Sequence, residues 1–500
     1  MPENELLVEE TITQAEARFE KMRKRVGLLL APLTFLSVYL IPTPSLSNEG
    51  HKLAAILASV VVLWITEALP LPVTGLLGPA LVVILGVSTA AKAFAPFADP
   101  IMFLFLGAFI LSRSIHLHKL DKRFAYWVLS RPLVGESPSR ILFAYGGVCC
   151  FISMWISNTA TVAMMFPIGL AIIDALKQIR KDKLGSHYPT ALMLICTFGA
   201  SIGGLATPVG TPPNLIGLGF IERQLGRQVR FFEWMTFGLP VVVTLYLLLF
   251  LYLNLFSSPG TKKMEGVAKL IEEKKRSLGT MTRGEINTML AFGLTVLLWI
   301  TPGILALVLG DSHPLTNSYT KHFPESVAAL IGACLLFLLP VNLKKEEFTL
   351  NVKQAFSIDW GVMALYGGGI ALGQMAFETK LAETIGKGLT TFIPASGTGL
   401  LASVAIVATL TSELTSNVSS ANMVVPVVIA IAGQNGLQAA IAACMASSLG
   451  FMLPISTPTN AIAYSSGYVP ITKMIKYGLI LDLIGFVVIL IGTLFLVPTK

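Results

Sequence analysis

The chain has 500 residues, of which 54% are hydrophobic and only 13% charged, and its mean hydropathy is +0.73. Soluble domains carry roughly a quarter charged residues, so this composition excludes an ordinary soluble fold and leaves length for about a dozen membrane segments of ~20 residues. The formal charge of +8 gathers in a few loops, as the positive-inside rule expects, and implies no nucleic-acid partner.

Residues 1–25 mix Glu, Lys and Arg with Leu6, Leu7, Ile12, Phe19 and Met22. They predict a cytoplasmic amphipathic helix at the membrane surface and no cleavable signal. Spans are predicted over Val26–Ile41, Leu53–Leu69, Gly75–Val87 and Ile101–Ile115. A basic, partly amphipathic segment follows from Arg113 to Arg140. The next apolar run, Ile141–Leu176, is interrupted by Ser157-Asn158-Thr159 and is basic at both ends. That flanking predicts a re-entrant hairpin open to the cytoplasm, because a spanning helix would have one basic end. After the tip a short helix, Ala160–Pro167, is expected. A span from Thr190 to Leu205 then breaks at Thr207–Asn214, and Phe231–Phe256 forms another span. The most charged loop, Ser257–Arg283, is placed in the cytoplasm.

The second half repeats this order. Ile286–Ile300, Val327–Pro340 and Trp360–Met375 are predicted spans, with an outer loop at Ser312–Phe323 and an amphipathic connector at Phe377–Phe392. Gly367-Gly368-Gly369 allows close helix contact. A second broken run, Leu400–Gly433, carries Ser416-Asn417-Val418 and a short helix to Pro426. It has almost no basic flank and so enters from outside. Gln438–Leu453 leads to a second break at Ser456–Asn460, and Ile471–Val497 is the last span. The sum is an all-α polytopic membrane protein of about eleven spans plus two hairpins, with the N-terminus inside and the C-terminus outside. Residues 50–257 and 284–497 form an inverted repeat.

Four helix breaks at mid-membrane depth present helix N-termini to one another. Their free amide N–H groups and partial positive charge suit a carboxylate or other oxyanion. Asn158 and Asn417 add amide donors, and Thr159, Thr211 and Thr457 add hydroxyls. Unwound carbonyls suit a desolvated Na⁺ beside the anion. Among intramembrane carboxylates, Glu413 is either functional or a brace for its hairpin, whereas Glu67 and Asp482 lie nearer segment ends. The cysteines Cys149, Cys150, Cys196, Cys334 and Cys444 have no metal spacing and read as buried small hydrophobes. The histidines fall in loops or at span ends without ligand spacing. No His in the membrane core and no GxSxG motif accompany a nucleophile, which argues against an enzyme. A channel would need a continuous polar pore, which the hairpins obstruct.

At these residues the chain resembles the divalent anion–sodium symporter family, the INDY-type carriers of di- and tricarboxylates. The resemblance rests on Ser153-Met154-Trp155-Ile156-Ser157-Asn158-Thr159-Ala160-Thr161, on Ser201-Ile202-Gly203-Gly204 with Gly210–Asn214, and on Phe451-Met452-Leu453-Pro454 through Asn460. It implies a homodimer in which a scaffold (residues 26–140 and 284–397) supports a transport domain (141–257 and 398–500). Residues 258–283 form the cytoplasmic loop, and the transport domain moves as an elevator. It also implies substrate contacts from Asn158, Thr159, Thr211, Asn417, Val418, Thr457 and Pro458. Na⁺ sites would use Ser153, Ser157, Asn158 and Gly210, and Ser412, Thr415, Asn417 and Ser456. Substrates would be C4-dicarboxylates and related acids such as succinate, malate, fumarate, 2-oxoglutarate and citrate, carried across a bacterial plasma membrane, with Na⁺ the only cofactor-like ion. Val418 stands where the family commonly has Thr and cannot donate to a carboxylate. That departure tilts the reading to dicarboxylate exchange, with sodium symport the alternative.

Overall fold

The computed structural model of the chain describes residues 14–179, 187–257, 263–264, 266–389, 394 and 396–499. It is helical apart from one two-stranded ribbon, Pro340–Asn342 with Glu347–Phe348, at the basic turn around Lys344. Residues 1–13 of the expected surface helix and 390–392 of the expected connector lie outside the described residues. The first helix, Gln14–Leu40, runs without interruption from the charged region into the first apolar stretch.

Among the described residues, eight helices are long and apolar enough to cross a bilayer. A ninth span arises if Pro314–His322 and Glu325–Leu338, bent by 55°, are taken together. Other segments expected to span fold as shorter helices, such as Leu71–Ile84 and Gly436–Ala446. At ~1.5 Å per residue, a 14-residue helix reaches only about 21 Å, short of the ~30 Å hydrocarbon core.

Both broken runs fold back on themselves. The first hairpin joins Pro138–Ser153 to Asn158–Ile179, and the second joins Gly397–Leu414 to Asn417–Ala432. The Tyr145 hydroxyl donates to the carbonyl of Met165, 20 residues on, at 2.9 Å. In a straight helix those groups would be about 30 Å apart. Ser420 Oγ donates to the Ala408 carbonyl at 2.9 Å across the second hairpin. The helices after the tips do not stop at Pro167 or Pro426, as the sequence suggested. Both prolines lie inside continuous helices, at equivalent places after the two asparagines, because membrane helices tolerate an interior Pro when neighbours satisfy the freed carbonyl.

Each hairpin is followed by a broken helix and a long one. Tyr188–Gly203 tightens into a 3₁₀ turn, opens through residues 207–211 and resumes as Pro212–Leu225; Phe231–Phe256 follows. Gly436–Ala446 opens through residues 447–457 and resumes as Pro458–Ser465; Ile471–Leu496 follows. The pieces cross over. Pro212–Leu225 packs against the second hairpin, and Pro458–Ser465 packs against the first. Most of the buried apolar residues form one cluster spanning both repeats. A separate cluster joins Asn48–Thr66 and Leu71–Ile84 to Trp360–Glu378. There Gly368 permits the close approach read from the glycine triplet: a Cβ on it would lie 1.8 Å from the Gly75 carbonyl oxygen. Cys334 is exposed, unlike the other four cysteines, which are buried as expected.

Candidate functional site

The two hairpin tips are built alike. Ser153 Oγ donates to Asn158 Oδ1 at 2.6 Å, and Ser412 Oγ donates to Asn417 Oδ1 at 2.8 Å. Holding the amide oxygen in this way leaves each Nδ2 donor free to point elsewhere. Ser157 and Ser416 cap the helices that begin at these asparagines, accepting from Ala160 N at 3.2 Å and Ser419 N at 3.1 Å. A short hydroxyl at the N-cap competes with the ladder and fixes where the second arm starts.

The two breaks are also matched. Asn214 Nδ2 donates to the carbonyls of Gly204 (3.0 Å) and Thr207 (2.8 Å). Asn460 Nδ2 donates to those of Gly450 (2.8 Å) and Leu453 (3.0 Å). Each side chain therefore satisfies carbonyls that unwinding the helix would otherwise orphan. The first break is pressed against its hairpin tip. A Cβ on Gly204 would meet Asn158 Oδ1 at 2.7 Å, and one on Gly210 would meet the Gly204 carbonyl oxygen at 2.5 Å.

All four elements open onto one cavity of about 670 Å³. Of the residues singled out in the sequence, Ser157, Asn158, Thr159, Gly210, Thr211, Asn417, Val418, Ser456, Thr457 and Pro458 line it. Ser153, Ser412 and Thr415 do not; they are buried behind the tips. Thr415 turns its hydroxyl back onto the Thr411 carbonyl at 2.8 Å. Ser456 donates to Glu413 Oε2 at 2.7 Å. The ordered oxygens beside the tips are thus Ser153 Oγ with Asn158 Oδ1, and Ser412 Oγ with Asn417 Oδ1. Both are neutral, all-oxygen sets of the kind a hard cation takes. The cap hydroxyls are unequal: Thr457 accepts from Asn460 N at 3.2 Å, while Thr211 makes no side-chain cap bond and is available to a ligand.

Glu413 ties its hairpin to the second break. Its carboxylate accepts from Met452 N at 2.8 Å as well as from Ser456. Asp482 is not near a segment end: it lies well inside Ile471–Leu496, buried beside Glu413. The sequence reading overlooked the rest of the cavity wall. There Phe109, Ser112, Arg113 and His116 of Pro100–Leu117 and Ser357 and Asp359 before Trp360–Glu378 meet the cavity. Arg113, the start of the basic segment in the sequence, and His116, at a span end, both belong to this face of Pro100–Leu117. Their i, i+3, i+4, i+7 spacing with Phe109 and Ser112 was the available signal of a shared helix face.

The profile of the sodium:sulfate symporter transmembrane region matches residues 22–497. The chain belongs to this family. As a family member it is a multi-pass membrane transporter and not an enzyme, and the resemblance read from its motifs is to this same divalent anion–sodium symporter group. It is 33% identical over 483 residues to the sodium-dependent dicarboxylate transporter SdcS of Staphylococcus saprophyticus, covering 95% of this chain and 91% of that one. Its identity to SdcS of Staphylococcus aureus is 32% over 483 residues, with the same shares covered. Two solved transporter structures share its fold. One is YdaH of Alcanivorax borkumensis, with TM-score 0.52 and 15% identity, covering 95% of this chain and 97% of that chain. The other is MtrF of Neisseria gonorrhoeae, with TM-score 0.54 and 13% identity, covering 95% and 94%. At such identities the likeness is one of fold alone.

Proposed function

We propose that this symporter-family member carries C4-dicarboxylates into a bacterial cell, coupled to Na⁺ as co-transported cargo. One observation carries the reading. Two asparagines, each with its amide oxygen held by a serine, stand on one cavity with their Nδ2 donors uncommitted among the described residues. The donors and helix N-termini suit a carboxylate, and the oxygens behind suit a small cation. Asn158, Thr159, Thr211, Asn417, Thr457 and Pro458 would contact the acid, with Val418 an apolar wall. Na⁺ would rest on Ser153 and Asn158 with Ser157 and Gly210, and on Ser412 and Asn417 with Thr415 and Ser456. The last pair must turn from their present partners to take part. In this reading residues 26–140 and 284–397 form the scaffold of a homodimer, and residues 141–257 and 398–500 move as an elevator. The N-terminus is cytoplasmic and the C-terminus outside.

Exchange, toward which Val418 tilted the sequence reading, is the weaker account. Val418 removes a donor to the acid and leaves both serine–asparagine oxygen pairs in place, and the relatives at 32–33% identity are named sodium-dependent. Uptake of labelled succinate into proteoliposomes tests this. We expect uptake to follow an inward Na⁺ gradient without internal dicarboxylate, and to be lost in Asn158→Ala and Asn417→Ala proteins that remain monodisperse. Uptake that ignores Na⁺ and requires internal dicarboxylate would establish exchange instead, and no uptake in any arm would remove the carboxylate reading.

A further inference from the structure

The tips and breaks contribute no cation to the cavity; the formal charges on its wall are Arg113 and Asp359, with His116 able to add one. Arg113 has no hydrogen-bond or ion-pair partner among the described residues, and its Nε is buried without one. The neighbouring charges are otherwise engaged. His116 Nδ1 pairs with the buried Asp121 carboxylate at 3.1 Å. Asp359 Oδ1 accepts from Gly361 N at 3.0 Å and Val362 N at 3.3 Å, capping its helix. A guanidinium offers five donors in a rigid fork and keeps its proton. An unpaired one whose Nε is buried is costly unless something anionic completes it.

We propose that Arg113 is the counter-charge for the second carboxylate of the substrate, the first resting on the hairpin tips, and that it makes the carrier choose dianions over monoanions. This deepens the dicarboxylate reading above and rests on it. A dianion held only by neutral dipoles would be distinguished from a monoanion by little more than an extra solvated group. A fork-shaped cation on the same cavity converts the second charge into a charge-assisted, bidentate contact. Arg113 belongs to Pro100–Leu117, which is part of neither hairpin, so in the elevator reading the contact belongs to the conformation seen here and is released when the tips move relative to that helix. Tight selection and later release of the acid are thereby divided between the tips and that helix.

The test compares wild type, R113Q and R113K in proteoliposomes, using labelled succinate with unlabelled butyrate and monomethyl succinate as competitors. For R113Q we expect the succinate KM to rise about tenfold to a hundredfold, the worth of a charged hydrogen bond. Half-activation by Na⁺ and inhibition by the two monoanions should stay within about twofold, so that the preference for the dianion collapses. R113K, which keeps the charge and loses the fork, should fall between the two, and it supplies the same comparison if R113Q cannot be recovered folded. An unchanged succinate KM with an unchanged preference for the dianion would overturn the proposal. So would a parallel loss of affinity for Na⁺, succinate and the monoanions, which marks a structural role. If wild type itself carries no succinate, the dicarboxylate reading fails and this one with it; if wild type carries succinate and R113Q matches it, only the role of Arg113 falls.

Discussion

At the scale of single residues, the site depends on asparagines doing two different jobs. Asn158 and Asn417 offer donors to the cavity, whereas Asn214 and Asn460 stitch the broken helices by bonding two carbonyls each. The stitches are unequal. Asn460 Oδ1 also accepts from Thr197 Oγ1 at 3.1 Å, whereas Asn214 Oδ1 is buried without a partner among the described residues. Each unsatisfied buried carbonyl costs about 1–3 kcal/mol. Both Asn214→Ala and Asn460→Ala should therefore lower the thermal unfolding temperature of the detergent-solubilised protein, and Asn460→Ala should lower it more. An equal or larger drop for Asn214→Ala would show that the extra bond to Thr197 contributes nothing. The sequence placed both asparagines at the ends of the right motifs but gave no means of telling a stitch from a ligand contact. The difference lies in which carbonyls unwinding leaves exposed, and that depends on the folded path.

At the scale of elements, much was legible because its causes are local. Ser, Asn, Pro and Gly inside apolar runs mark where a helix must open, and the structure opens at those places. Phe231–Phe256 begins and ends where its composition changes. The Gly367-Gly368-Gly369 contact was legible for the same reason, and it is testable. Gly368→Leu would force side-chain atoms through the Gly75 carbonyl, which a Cβ alone would approach to 1.8 Å. Overpacking of this kind destabilises by about 1–3 kcal/mol or more, so the variant should aggregate on size exclusion or melt well below wild type; a monodisperse protein of normal melting behaviour would refute the contact. What was not legible depends on neighbours. How far Leu71–Ile84 runs, that Asp482 lies against Glu413, and that Arg113 lines the same cavity as the hairpin tips are all set by segments distant in sequence. Nothing near Arg113 separates a solvated basic connector from a cavity wall.

At the scale of the molecule, the carrier reading requires parts of this structure to slide past one another. Among the described residues two ion pairs lie across the expected boundary, Arg230 with the exposed Asp311 and the more buried Arg223 with Asp99. Arg223, at the end of Pro212–Leu225, holds Asp99 through Nη2 at 2.5 Å and Nε at 2.9 Å. Asp99 caps Pro100–Leu117 through Ile101 N at 2.9 Å. The pair is partly buried and must open if the hairpins travel relative to that helix. In a Cys334→Ser background, which removes the exposed native thiol, Asp99→Cys with Arg223→Cys joined by a short thiol cross-linker should arrest succinate uptake. Reduction of a cleavable linker should restore it. Full uptake by cross-linked protein would mean that this boundary does not move.

The crossing of the resumed helices has a consequence for how the molecule is made. Pro212–Leu225 packs against elements that are all synthesised well after it, Trp360–Glu378, the Asn417–Ala432 arm of the second hairpin and Gly436–Ala446. Until then the nascent first half sits in lipid with an opened backbone and an uncovered polar tip. Such long-range closure is slow and leaves the intermediate vulnerable. Biogenesis, more than the stability of the finished fold, is then where this architecture is most fragile, and ribosome-bound or truncated chains ending before the second hairpin should be the forms that membrane quality control recognises.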